Sequence, residues 1–307
     1  MPTRRDFLAT AAFAAASPLA AAERKFTIAF TPGSIGVQAD QRRAIDLAAK
    51  YGYESVQPFG GDLAKMSDAE LRELRAELKQ KGLQWAAAGM PVDFRGDEAK
   101  FQEGLRDLPA QAKIYERAGV TRISTWLPPL HPELTYPQNL RLTGRRLRTL
   151  AKIAGDHGMK FGLEYVGTPN LRVRKGYPFV HSMAETKELL AEAGGENLGF
   201  VLDSWHWWTA EESAADILTL RADDIVSADL NDAPAGLALI DQQDNQRELP
   251  ATTGVIPLKE FLGALAAIGY DGPVRPEPFN KKLNAMDDEP AAQAAATAMK
   301  KAFALVA

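Results

Sequence analysis

The chain has 307 residues, 46% of them hydrophobic and 25% charged, with a formal net charge of −4; this is the balance of a globular protein. No run of basic residues interrupts it, so the electrostatic footprint of a nucleic-acid binder is missing. The absence of cysteine excludes disulfides, thiolate metal sites and cysteine nucleophiles.

The chain opens MPTRRDFLATAAFAAASPLAAAE. Arg4 and Arg5 precede Phe7 and Leu8, an alanine-rich apolar run follows, and Ala20-Ala21-Ala22 offers a small-residue cleavage site. That order looks like a twin-arginine export signal. The apolar run is too short for a stable membrane anchor. The expectation is a signal over residues 1–22, a mature chain over 23–307 and a periplasmic destination. Twin-arginine substrates are usually exported folded, which suits a protein that acquires a metal in the cytoplasm.

From there, short apolar runs alternate with amphipathic stretches. KFTIAF (25–30) reads as a strand and residues 38–51 as a helix. ESVQPF is followed by a helix with Ser67 as N-cap and Gly82 as stop. LQWAAAGM precedes a helix over 97–118, and VTRISTWL one over 139–157. MKFGLEYV precedes SMAETKELLAEAG, and LGFVLDSWH precedes SAADILTLRADD. IVSADLND precedes PLKEFLGALAAIG, and GPVRPEPF precedes an alanine-rich final helix. Eight strand–helix pairs predict an α/β fold with a parallel sheet, closed as a single-domain (β/α)8 TIM barrel. A doubly wound open sheet is disfavoured, because no G-x-G-x-x-G follows the first strand.

Active-site groups of such barrels sit at the C-terminal ends of the strands. Strand five ends on Glu164, strand six on Asp203 with His206 three residues on, strand seven on Asp229 and Asp232, and strand eight on Glu277. One such acid is ordinarily a helix N-cap or a loop residue. Four strand ends in succession carrying carboxylates point to a cation, because clustered acids repel and desolvate at high cost without one. An oxygen-only set favours Mg²⁺, Mn²⁺ or Ca²⁺ over zinc.

GLEYV, VLDSWH and GYDGPVRPEPF together resemble the sugar phosphate isomerase/epimerase family, the xylose isomerase-like barrels that include ketose 3-epimerases and hydroxypyruvate isomerases. The resemblance runs through nearly the whole mature chain and is strongest over 161–279. It implies Glu164, Asp203 and Glu277 as metal ligands, and His206 and Arg247 as substrate contacts. The family usually has H-x-K-D at strand seven, with the histidine as fourth ligand. This chain has D-L-N-D, placing Asp229 there. Either this branch uses a harder metal or the site has drifted.

The resemblance further implies removal of a proton α to a carbonyl through an enediolate, with Glu164 and Glu277 as the acid–base pair and Mn²⁺ or Mg²⁺ as the metal. Indole faces suit a sugar ring, so Trp126 and Trp205, with Trp207, Trp208 and Phe59 beside them, are candidate platforms. His131 and His181 read as solvated loop residues. An exported protein points away from sugar phosphates and toward a free sugar, a keto-sugar or a keto-glycoside. The competing activities are elimination from a 3-keto-glycoside and non-catalytic binding of carbohydrate in the periplasm. A zinc phosphodiesterase is disfavoured by four histidines and no cysteine. The expected partner is a small carbohydrate, with no nucleic acid. Members of that family are often dimers or tetramers, so a homo-oligomer is among the expectations.

Overall fold

The computed structural model describes residues 24–307, so the expected export signal lies outside the described residues. Nine parallel strand segments form one curled sheet: β1 (Thr27–Phe30), β2 (Ser55–Val56), β3 (Gln84–Trp85), β4 (Ala88–Gly89), β5 (Arg122–Trp126), β6 (Lys160–Glu164), β7 (Leu198–Asp203), β8 (Ile225–Leu230) and β9 (Pro273–Pro276). The chain runs directly from β3, which pairs with β2, to β4, which pairs with β5. These two segments are halves of one stave, and through them the sheet closes into the expected eight-stave barrel.

The outer layer follows the amphipathic stretches. Helix α1 (Gln41–Tyr51) starts at Asp40, whose carboxylate accepts the Arg43 N–H at 2.8 Å. Helix α2 (Asp68–Gln80) carries a capping box between Ser67 and Glu70. Helices α3 (Glu98–Ala118), α4 (Tyr136–Asp156) and α5 (Met183–Ala193) follow their strands as expected. After β7 the single long helix expected from SAADILTLRADD is absent. The one-turn-and-a-half helix α6 (Ser204–Thr209) comes first, then a four-residue turn of helix at Ala214–Ile217. Ser213 caps that turn, and its carbonyl also takes the Trp207 indole N–H at 3.1 Å, so local polar bonding breaks the run before it lengthens. Helix α7 (Leu258–Ala267) and helix α8 (Asp288–Phe303) complete the ring. Alanines 291, 292, 295 and 296 of α8 are buried, letting its backbone lie close to its neighbours.

Strand alternation decides what points inward. The hydrogen-bonded register sets Asp203, Asp229 and Arg275 side by side across β7, β8 and β9. Glu164 ends β6 and Glu277 follows β9 directly. The acids therefore meet at the C-terminal mouth of the barrel because adjacent parallel strands end at one level.

Candidate active site

Asp203 is the anchor. It is completely buried and serves as N-cap of α6: Oδ1 accepts from the backbone N–H groups of Trp205 at 2.6 Å and His206 at 3.3 Å. Asn231 donates to both of its oxygens, at 3.0 and 3.1 Å. Arg247 Nη1 donates to Oδ2 at 2.7 Å. Burial acts to raise its pKa, but Arg247, His206 and the amide donors outweigh that and hold it below the usual range.

Glu164 is the opposite case. It is buried, and its Oε1 accepts no hydrogen bond among the described residues. Burial first, and then the charges of Glu277, Asp229 and Asp203, raise its pKa well above the ordinary carboxylate value. Burial also pushes Glu277 up to about 7, with Arg275 and Arg247 pulling down and the neighbouring acids pulling up. Asp229 is likewise raised by burial, against the pull of Arg275.

One oxygen from each of Glu164, Asp203, Asp229 and Glu277 lies within 4.8 Å of the others; Glu164, Asp203 and His206 form a second such group. The four acids carry −4, but two guanidiniums sit among them. Arg247 bonds Asp203 and, at 3.4 Å, Glu277. Arg275 bonds Asp229 at 2.6 Å and Glu277 at 2.7 Å. The two guanidiniums therefore offset part of the cluster's negative charge, which corrects the sequence-based count of four unbalanced acids. An all-oxygen acidic set with one buried acceptor left without a partner among the described residues fits a hard divalent cation.

A cavity of about 300 Å³ opens above this cluster, the lower end of the usual range of about 300–1,000 Å³ for small-molecule sites. Gln57, Ser124, Trp126, Glu164, Arg275 and Glu277 line it. Asp203, Asp229, His206 and Arg247 lie in the layer behind and do not line the cavity. His206 is buried, with Nδ1 3.3 Å from the Gly167 N–H and Nε2 3.2 Å from Arg247 Nη2. Burial, and secondarily Arg247, hold its pKa down against the pull of Asp203 and Asp244. Gly167 is required by this approach: a Cβ there would fall 2.2 Å from the His206 carbonyl oxygen. Arg247 is stacked between Trp205 and Phe279, 5.3 and 4.7 Å from the ring centroids. Phe279 has a backbone φ of +40°, uncommon for a residue with a side chain.

The aromatics separate sharply. Trp205 and Trp207 are core residues, and Trp205 donates its indole N–H to Thr168 Oγ1 at 3.1 Å. Trp208 packs at the core's edge. Phe59 packs there too, outside the cavity. Trp126 is 47% exposed at the cavity rim, with the Arg95 guanidinium 4.5 Å from its ring centroid. Trp126 and Met90 also line an adjoining open groove of about 540 Å³. His131 and His181 are both partly exposed and also make local bonds: His131 Nδ1 accepts the N–H groups of Glu133 and Leu134, and His181 Nδ1 lies 2.7 Å from the Phe179 carbonyl.

Arg275 was missed by the sequence reading, although its spacing was informative. It stands two residues before Glu277, so alternation places both on the inner face.

Residues 45–302 match the xylose isomerase-like TIM barrel family. The chain belongs to that family. Among its relatives is the inosose isomerase of Halalkalibacterium halodurans, 28% identical over 257 residues, or 82% of this chain and 87% of that protein. The 3-dehydroshikimate dehydratase of Pseudomonas aeruginosa is 24% identical over 243 residues, or 78% of this chain but only 36% of that longer protein. A crystal structure of the IOLI protein, which holds a zinc atom, superposes with a TM-score of 0.74 at 21% identity, covering 92% of this chain and 98% of that one. Within this family fold, Glu164, Asp203 and His206, and Glu164 with Asp203, Asp229 and Glu277, are the groups that could hold a metal ion.

Proposed function

We propose that this protein is a metal-dependent isomerase or epimerase of a non-phosphorylated sugar or keto-polyol, which removes a proton from the carbon beside a carbonyl. The observation that carries the reading is the pair Glu164 and Glu277, both lining one small cavity above a cluster of further acids. Kinship to an inosose isomerase supports it. Glu164, Asp203 and Glu277 would hold the metal, with Asp229 as the fourth acid of the cluster; Mn²⁺ or Mg²⁺ is proposed on ligand chemistry. When bound, such an ion stabilises negative charge on the substrate oxygen.

The chain's own groups do the rest. A carboxylate of the pair takes the α-proton and the other returns one. Asp203 and Arg247 fix the floor on which Glu277 rests. Gln57, Ser124 and Thr125 offer hydrogen bonds to hydroxyls inside the cavity, and Trp126 offers an apolar face at its rim. The only cation lining the cavity among the described residues is Arg275, already paired with two acids. Among the described residues no unpaired cationic side chain lines the cavity to receive a phosphate dianion, which supports an uncharged substrate. Export through the twin-arginine signal, and action in the periplasm, belong to the same proposal.

The test is solvent exchange. In D₂O, metal-loaded protein is expected to exchange the α-proton of a free ketose or a keto-inositol, followed by NMR. Glu164→Gln is expected to slow exchange at least about 100-fold. No exchange by the wild type on any member of such a panel would sink the reading.

A second reading is elimination, favoured by the dehydratase relative. It starts with the same proton abstraction and ends with loss of a β-substituent, as from a 3-keto-glycoside. A conjugated enone absorbing in the ultraviolet would identify it; exchange or epimerisation with no such product would exclude it.

A further inference from the structure

Arg275 and Asp229 are direct neighbours across β8 and β9. Arg275 Nε donates to Asp229 Oδ1 at 2.7 Å and Nη2 to Oδ2 at 2.6 Å. This is the two-pronged arrangement that holds a guanidinium in one orientation. Nη2 is shared with Glu277 Oε1 at 2.7 Å. Nη1 has no protein acceptor among the described residues. The side chain is a quarter exposed and lines the cavity, whereas Asp229 is wholly buried and does not. From the core outward the order is thus carboxylate, guanidinium, cavity. Both oxygens of Asp229 are gripped by one guanidinium, whereas those of Asp203 are divided among Arg247, Asn231 and two backbone N–H groups. A histidine in its place could not grip the guanidinium on two prongs.

We propose that Arg275 contacts the substrate, its free Nη1 donating a hydrogen bond to the carbonyl oxygen or an adjacent hydroxyl, and that Asp229 is the anchor of Arg275 rather than a metal ligand. The proposal rests on the reading of the cavity as a keto-sugar site. As a carboxylate takes the α-proton, the C–H electron pair becomes the new C–C π bond and the carbonyl oxygen acquires negative charge. An oriented N–H stabilises charge at that place without any rearrangement of the site. The departure from histidine at strand seven and the arginine two residues before Glu277 are then one change, not two. The metal site is left with three carboxylates, Glu164, Asp203 and Glu277.

Removing Arg275 alone would strand a buried acid, so the test uses the neutral pair Asp229→Asn/Arg275→Gln beside Arg275→Lys and the wild type. Three quantities are read: Mn²⁺ affinity and stoichiometry, the thermal shift given by D-fructose, D-psicose and a keto-inositol, and α-proton exchange into D₂O. The paired variant is expected to keep its Mn²⁺ affinity within about threefold. It is expected to lose the ketose-induced shift and to exchange ~100-fold more slowly. Arg275→Lys is expected to recover part of both. Unchanged ketose binding and exchange in the paired variant would overturn the substrate contact. A loss of Mn²⁺ affinity of tenfold or more would overturn the anchor assignment, because it would make Asp229 a ligand. If no ketose binds or exchanges with the wild type, the keto-sugar reading fails, and the Mn²⁺ titration still decides what Asp229 does.

Discussion

Arg247 Nη1 lies 2.7 Å from Asp203 Oδ2 in an ion pair whose side chains are 1% and 0% exposed. The same guanidinium reaches Asp244 at 2.8 Å and approaches Glu277 at 3.4 Å. Breaking one side of a buried pair leaves a charge without water or partner, at a cost of about 3–5 kcal/mol. Arg247→Met is therefore expected to lower unfolding stability by about that amount, measured by denaturant titration. Asp203→Asn/Arg247→Met is expected to recover part of it, and strict additivity of the two single changes would refute the coupling.

Asp232 belongs to the same D-L-N-D stretch as Asp229 and does something unrelated. Its carboxylate accepts the backbone N–H groups of Ala233, Thr253, Gly254, Val255 and Ile256, between 2.8 and 3.1 Å. It pins the loop that leads into α7. Asp232→Ala leaves those donors without their charged acceptor, and hydrogen bonds to charged groups contribute about 1.5–3 kcal/mol each, non-additively. The expected loss is about 3 kcal/mol in thermal or chemical unfolding, with metal content unchanged. Loss of metal without loss of stability would move Asp232 into the site.

The contrast between these aspartates shows where sequence reasoning stops. Asp203, Asp229 and Asp232 all follow apolar runs, so strand ends and a barrel are legible from periodicity alone. Which acid caps a helix, which grips an arginine and which holds a loop depends on partners far along the chain: Arg247, Arg275 and residues 253–256. Asp203 is both the helix cap that such a position ordinarily is and a member of the charged cluster, so those two readings were never exclusive. The neutralising arginines were hidden for the same reason. Arg247 was legible only as an expected substrate contact, and its burial behind the cavity follows from stacking on Trp205 and Phe279.

The raised carboxyls of Glu164 and Glu277 give the site a pH signature. A carboxyl whose folded pKa lies above its unfolded value of about 4.3 stabilises the fold below that value. The contribution is lost as pH rises through the folded value, here about 7 for Glu277. The metal-free protein is therefore expected to lose stability between about pH 5 and pH 8. Metal binding needs the deprotonated acids and releases their protons, so the thermal stabilisation by saturating Mn²⁺ should be larger at about pH 8 than at about pH 6. Calorimetric titration in two buffers of different ionisation enthalpy counts the protons directly. No proton release near pH 6, with equal stabilisation at both pH values, would contradict the raised pKa of both groups.

Trp126 and Trp205 look alike in the sequence and are opposites in the fold. Trp205 is fully buried, lies 5.3 Å from the Arg247 guanidinium and hydrogen-bonds Thr168. Truncation of such a residue costs about 3–5 kcal/mol, so Trp205→Ala is expected to unfold early and to lose activity only with its structure. Trp126 stands at the rim between the cavity and the groove, and its contact with Arg95 is of the kind that contributes about 0.5–1 kcal/mol at an exposed site. Trp126→Ala is expected to shift the melting temperature by no more than a few degrees. It should raise KM for a sugar substrate about tenfold while leaving kcat within about threefold, the pattern of a lost contact made equally in ground and transition states. A fall in kcat at unchanged KM would instead place Trp126 against the reacting carbon and move the substrate deeper into the cavity than its rim.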